Sequence, residues 1–363
     1  MVVSSLPPFI PSSGNQGPRL KSLYLHVGTH KTGSTSIQSF MHDNCAELAR
    51  RGLLYPRIGL ENGAHHRLAW ATGTGAHEAD AALLDDAFSS IEREADRANC
   101  SRILVSSEEF ESTHDLHLLA PLRDRFDVRI VIYLRKQDHL LESTYNQHVR
   151  QYDKRFDGSI YQLALKYNFH NHFNYRRLVE RWEAEFGRDK ILVRPYGTAH
   201  VQRDVRQDVL SLVGIDGAGF RAEERSGQRD NVSLATPAIP YMVRINRLGL
   251  SCSQHQEALS ELARRVPAID GARLLSHWES SEFYKKFERG NRLIAERYLG
   301  LDEDPFAALV RNPPQETHVR PNAVDEDTLQ QVLSAIGHGG GPVEEGSPPA
   351  SGWRRLIPAN RKR

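Results

Sequence analysis

The chain has 363 residues, with 47 Lys plus Arg against 46 Asp plus Glu, a formal net charge of +1, and 39% hydrophobic residues. That balance excludes a whole-molecule field able to gather nucleic acid or an anionic membrane, so any attraction of an anion is local; the length suits one catalytic unit with a helical extension. Cys45, Cys100 and Cys252 are scattered and form no C-x-x-C pair, which argues against a disulfide framework or a zinc site and for a reducing compartment.

Residues 1–20 are rich in Pro, Ser and Gly without an apolar period and are expected to be disordered. They hold no basic n-region, and prolines interrupt their apolar stretch, so they read as neither signal peptide nor membrane anchor. No later run is long enough to span a bilayer, and a cytoplasmic location is expected. Short apolar runs then alternate with long helical patterns: Leu23–Val27, Leu53–Tyr55, Arg102–Ser106, Val128–Leu134 and Lys190–Arg194. Near-continuous runs such as RIVIYL and KILV suit strands buried on both faces. The rhythm therefore predicts an α/β fold with a central parallel sheet flanked by helices. Ligands of such a sheet bind at the carboxyl ends of its strands. The stretch FNYRRLVERWEAEFGRDKILVRPYG reads as a helix closing at Gly187 before the last strand. From about Ser233 the pattern turns helical, with Ala235–Leu248, Gln256–Arg265, Phe283–Leu299 and Thr328–Ile336 as candidates for a C-terminal helical cap. The expected organisation is a core over about residues 21–215, a cap over about 216–337 and a disordered basic tail over 338–363.

The segment LYLHVGTHKTGSTSIQS, Leu23–Ser39, joins an apolar strand to a Gly-rich turn and an amphipathic helix. A turn that opens a helix aims unpaired N–H groups and the positive end of the helix dipole at one place, which suits a phosphate or sulfate. Gly28-x4-Gly33 has the spacing of a Walker A loop, but Ser34 follows the second glycine and the lysine stands earlier, at Lys31. In a nucleotide triphosphatase the lysine after the glycine reaches the β and γ phosphates, and the next Ser/Thr holds magnesium. An ammonium carried by the loop itself can instead lie beside the bridging oxygen of a two-centre anhydride. Thr32, Ser34, Thr35 and Ser36 then supply hydroxyls, and a metal is less necessary.

The H-K-T-G-S-T-S arrangement after a strand resembles the 5′-phosphosulfate loop of sulfotransferases that use 3′-phosphoadenosine 5′-phosphosulfate (PAPS). In DVRIVIYLRKQDHLLESTYNQ a strand runs into a helix, with Arg135 at the strand's end and Ser143 eight residues on. The family's 3′-phosphate site is an Arg and a Ser at this kind of spacing; the guanidinium fork gives two parallel charge-assisted hydrogen bonds and the hydroxyl a third donor. The resemblance covers roughly residues 20–300 and looks closest to the bacterial and carbohydrate-type branch. It implies PAPS as donor, held at its 5′-phosphosulfate by Thr29, His30, Lys31, Thr32, Gly33, Ser34, Thr35 and Ser36 and at its 3′-phosphate by Arg135 and Ser143, in two separated anion pockets. It further implies no obligatory metal and a glycan, glycolipid or small-metabolite hydroxyl as acceptor; the charge balance speaks against a nucleic-acid partner. A late basic loop often closes over the 3′-phosphate in this family. Here EERSGQRDNVSL offers Arg225 and Arg229, with Arg229 the candidate, although its spacing does not reproduce the R-K-G motif of the hormone and phenol enzymes. Asn231 and Ser233 read equally as caps of the next helix.

Sulfuryl transfer needs a bound donor, a cation against the departing phosphate oxygen and a base for the acceptor's proton. Lys31 is the cation. Two candidates for the base stay open. The strand Arg102–Ser106 runs into Ser107, Glu108 and Glu109, and this S-S-E segment resembles the place where carbohydrate-type sulfotransferases set a glutamate or histidine near the acceptor. Glu108 serves if partial burial raises its pKa; otherwise it reads as a helix-start carboxylate or the partner of a nearby Arg or Lys. The other candidate is His65, with His66, in NGAHHRLAWA at the start of a helix after the second strand, since imidazole suits proton transfer near neutral pH. His30 reads as a contact to donor or acceptor. Two further readings remain: a P-loop kinase or NTPase with Glu108 imitating a Walker B acid, and a catalytically inactive nucleotide-binding protein of the same fold.

Overall fold

The computed structural model describes residues 20–166, 172–199, 201, 204–220, 234–311, 316–320 and 322–338. The segment holding Arg225 and Arg229, like residues 1–19 and the basic tail from 339, lies outside the described residues. Two compact units interleave along the chain. One takes in the described residues of Met1–Lys136, Asn174–Glu223 and Glu288–Ala307, the other those of Gln137–Phe173, Glu224–Phe287 and Ala308–Arg363.

The first unit is built on five parallel strands: β1 (Lys21–His26), β2 (Leu53–Leu54), β3 (Arg102–Ser106), β4 (Phe126–Arg135) and β5 (Ile191–Tyr196). Their order is β2-β3-β1-β4-β5, so β1 is central and pairs with β3 on one side and β4 on the other. All five expected strands are present. Successive side chains point to opposite faces, and both faces are covered. Leu23, Leu25, Ile103, Val105, Ile130 and Ile132 are fully buried, while Tyr24, Leu104, Val131 and Tyr133 on the other face pack with Ile37, Met41, Val205 and Val209. The last four come from α1 (Ser34–Asp43) and the helix Val205–Leu212. Double burial is why the strands read as continuous apolar runs rather than as alternation. The connection leaving β1 heads toward β2 and that leaving β4 toward β5, which opens a crevice at their carboxyl ends. Further along, the helix Tyr175–Phe186 is capped by the Asn174 side chain and closes at Gly187, whose φ is +88°.

A buried charge fastens the helix Val205–Leu212 to the sheet. Tyr133 of β4 stands in register with Arg194 of β5, and both reach Asp208, which is fully buried. The Tyr133 hydroxyl donates to Asp208 Oδ2 at 2.6 Å, Arg194 Nε donates to the same oxygen at 3.0 Å, and Arg194 Nη2 pairs with Oδ1. A carboxylate taken from water is tolerated only when paired and hydrogen-bonded in this way.

The second unit is largely helical, as the C-terminal pattern implied, with helices Gln137–Arg150, Ile160–Lys166, Ile239–Asn246, Cys252–Arg265 and Glu326–Ala335. Cys252–Arg265 opens with a reciprocal capping box between Ser251 and Gln254. A parallel pair of two-residue strands, Ala272–Arg273 with Thr317–His318, has no apolar run to announce it. Arg273 is the hub of this unit: its guanidinium meets Asp138 at 3.0 Å, Glu142 at 2.7 Å and Glu316 at 2.7 Å, tying the helix Gln137–Arg150 to the strand pair. No helix among the described residues is long and apolar enough to cross a membrane.

Replacing Asp208 by Asn leaves the Arg194 charge without its counter-charge, and urea denaturation is expected to show a loss of about 3 kcal/mol or more. The combined Tyr133→Phe, Arg194→Met, Asp208→Leu variant should recover most of that loss, because it leaves no polar group buried without a partner. A cost under about 1 kcal/mol for Asp208→Asn would show that the pair does not anchor the helix.

Candidate anion-binding site

Beyond its last strand residue, β1 stays tied to β4. Val27 N–H donates to the Val131 carbonyl at 3.1 Å, Thr29 N–H to the Tyr133 carbonyl at 3.2 Å, and Tyr133 N–H to the Gly28 carbonyl at 3.1 Å. On its other side the loop lies directly on the end of β3. A Cβ built on Gly28 would stand 2.9 Å from Glu108 Cα, and φ at Gly28 is +91°, so glycine is required there for both space and conformation. Lys31 also adopts a left-handed φ of +63°, and its carbonyl accepts from Arg135 Nη1 at 2.9 Å. Gly33, at φ +86°, is the N-cap of α1, and a side chain there would meet Val205 Cγ1 at 3.0 Å.

The start of α1 is set up for an anion. Among the described residues no side chain caps it and no acidic residue occupies its first turn, so its first N–H groups and the positive end of its dipole are left for another acceptor. The helix Ala81–Arg97 shows the ordinary solution: Asp80 accepts from Leu83 N–H at 2.9 Å.

The residues expected to line the loop divide by what their side chains do. Thr29 is buried and its hydroxyl donates to the Tyr133 carbonyl at 3.1 Å; Thr32, also buried, donates to the Thr29 carbonyl at 2.5 Å. With its single proton committed, the Thr32 hydroxyl has none to give to an anion, so its contribution is to hold the loop's shape. Ser34 is buried at the first helical position, whereas Thr35 and Ser36 are exposed. The His30 N–H donates to Glu111 Oε2 at 3.2 Å. Arg135 lies at the end of β4 with its carbonyl held by the Tyr175 hydroxyl at 2.7 Å. Its guanidinium, 6.0 Å from the Tyr196 ring centre, faces the glycine-bounded turn and touches it. The arginine that the resemblance assigns to the 3′-phosphate thus has one guanidinium nitrogen on the backbone of the loop itself. Ser143 is half-buried on the helix Gln137–Arg150 in the second unit.

The two base candidates part company. His65 is fully buried and both ring nitrogens serve the backbone: Nδ1 accepts from Ser106 N–H at 3.1 Å, so Nε2 carries the proton and donates to the Pro56 carbonyl at 2.9 Å. Burial lowers its pKa to about 4. No lone pair remains for an acceptor, and the expectation of a base at His65 gives way to a structural role. His66, the first residue of the helix His66–Trp70, is the half of the pair that reaches outward, with Nδ1 2.8 Å from Ser107 Oγ beside Glu108. Glu108 opens a short 3₁₀ turn, Glu108–Ser112, after β3. Burial pushes its pKa up, but the Gln38 hydrogen bond, its own N–H and the neighbouring His30 and His66 outweigh that, holding the carboxyl below its ordinary value. The sign is opposite to the sequence-based expectation, and Glu108 is ionised at neutral pH, able to accept a proton and not to give one. Sequence reading passed over Gln38, which donates to Glu108 Oε2 at 2.7 Å; its only signal was an amide among the buried positions of α1.

Gly28→Ala is expected to cost about 2 kcal/mol or more in urea denaturation, since it adds a clash with backbone to an unfavourable φ. His26 and His65 are both lowered by burial to about 4 from an ordinary 6.5. Above 6.5 both states are neutral; as pH falls from 6.5 toward 4 only the unfolded chain takes up protons, so stability is lost across that window, up to about 3 kcal/mol for each residue. Unfolding free energies at pH 7 and pH 5 check this, and equal values would refute it.

No protein-family model matches this chain, and no solved structure matches it. It is similar to a protein of Archaeoglobus fulgidus described as uncharacterized, with 29% identity over 206 residues, 54% of this chain and 54% of that protein. The chain thus spans about half the length of that relative.

Proposed function

We propose that the chain transfers the sulfuryl group of PAPS to a hydroxyl of a glycan, glycolipid or small metabolite. The observation that carries the reading is the uncapped start of α1 behind a loop whose lysine is left-handed and whose carbonyl is gripped by Arg135, all at the carboxyl edge of β1, β3 and β4. Lys31 and Arg135 bring positive charge to that edge beside the Glu108 carboxylate, in a molecule of net charge +1.

In the reaction, the acceptor oxygen forms a bond to sulfur as the bond from sulfur to the 5′-phosphate oxygen breaks, and the acceptor's proton passes to the Glu108 carboxylate. The departing phosphate gains negative charge, which the α1 N–H groups and the Lys31 ammonium offset. Glu108 lies against Gly28, so the group that accepts the proton and the loop that holds the donor share one contact. The same acid beside the loop also favours a second reading, a P-loop kinase or NTPase, in which it would serve as the Walker B carboxylate. The role of Ser143 rests on the resemblance alone.

Thermal denaturation with 3′-phosphoadenosine 5′-phosphate (PAP) or with ATP and magnesium separates the two, because a ligand stabilises only what it binds. Stabilisation by PAP beyond that by ATP is expected, and the reverse order would overturn the sulfuryl-transfer reading. Transfer from labelled PAPS to pooled cell extracts should fall about a hundredfold in Lys31→Ala. Near-normal turnover at saturating donor would remove Lys31 from the mechanism.

A further inference from the structure

Gln38 is polar where α1 turns toward the sheet. It lies four positions beyond Ser34 and three before Met41, both buried, and is itself 5% exposed. A buried amide needs its hydrogen bonds, so the partners it has are informative. Its Nε2 donates to Glu108 Oε2 at 2.7 Å and, with its second proton, to Ser106 Oγ at 3.4 Å. Ser106 Oγ in turn shares a proton with His26 Nδ1 at 2.8 Å, and His26 is fully buried beneath the loop. A hydrogen-bonded line therefore runs from β1 through the end of β3 and α1 to the carboxylate.

We propose that Gln38 is a positioning residue that fixes the Glu108 carboxylate, ionised and in one orientation, from the same helix whose first turn receives the anion. This rests on the sulfuryl-transfer reading above. A glutamate side chain turning freely would meet the acceptor in few of its rotamers, and an amide nitrogen that bonds Ser106 with one proton and Glu108 with the other removes that freedom. A donor to the charged form also favours that form. The other groups facing Glu108 are His30 from the loop and His66 from the helix His66–Trp70, while His26 of β1 and Tyr55 beyond β2 lie close enough to feel its charge.

Two measurements decide it. Gln38→Leu and Glu108→Gln, singly and together, are compared by urea unfolding at pH 7. The release of PAP from PAPS, with water as the acceptor, is followed against pH in the wild type and in Gln38→Leu. The expected results are a coupling of about tenfold in the folding equilibrium constant, and an acid limb of PAPS cleavage displaced upward by about one pH unit in Gln38→Leu, with the KM for PAPS changed by less than about threefold. Additive substitutions, or a limb that stays in place while only the rate falls, would overturn the proposal. Should Gln38→Leu fail to fold, Gln38→Met takes its place in both arms. A wild type that PAP does not stabilise would overturn the donor reading instead, and the unfolding cycle would still decide whether Gln38 holds Glu108.

Discussion

The central position of β1 governs the site. Because β1 is paired in parallel with β3 and with β4, its carboxyl end emerges between theirs, and the loop that follows has to fit the gap. It does so by continuing to exchange hydrogen bonds with β4 as far as Thr29 and by lying against the backbone of Glu108. Only glycine at position 28 allows that approach, and only a left-handed turn at Lys31 brings the chain round into α1. The contact of Arg135 with the Lys31 carbonyl follows from the same arrangement, since β4 delivers that guanidinium to the place where β1 ends.

Charge is sorted by depth around this loop. At the surface of the crevice lie the open start of α1, Lys31 and Arg135, all favourable to an anion. Beneath them the imidazoles of His26 and His65 are kept neutral because desolvation outweighs every nearby attraction. Between the layers sits Glu108, ionised because specific donors offset its burial. Because these imidazoles stay neutral, the charge set against the rim's positive groups is the Glu108 carboxylate and not the layer beneath it.

Each compact unit also fastens distant segments with one half-buried arginine. Arg194 joins β5 and β4 to the helix Val205–Leu212 through Asp208, and Arg273 joins the helix Gln137–Arg150 to the short strand pair through three carboxylates. Such centres contribute less to stability than their number of bonds suggests, because desolvation takes back much of the attraction. They do penalise any other arrangement in which a charge is left alone. In the first unit this sets where Val205 meets Gly33, and hence the wall of the loop.

The sequence by itself determined the sheet and the loop. Strands buried on both faces must be apolar throughout, so RIVIYL and KILV marked them, and a glycine-bounded turn between strand and helix marked the place where backbone donors converge. Tertiary structure alone decided which polar groups near that turn can act. His65 and His66 are adjacent and chemically identical in the sequence, yet burial and two backbone partners silence the first while the second faces Ser107. The sign of the Glu108 shift and the part played by Gln38 depend on hydrogen bonds spanning 70 residues. The interleaving of the two units and the two-residue strand pair were equally invisible, because contacts between distant segments leave no local periodicity to read. Local pattern reports what a segment does with its own neighbours; the state of a titrating or hydrogen-bonding group is set by whatever the fold brings against it.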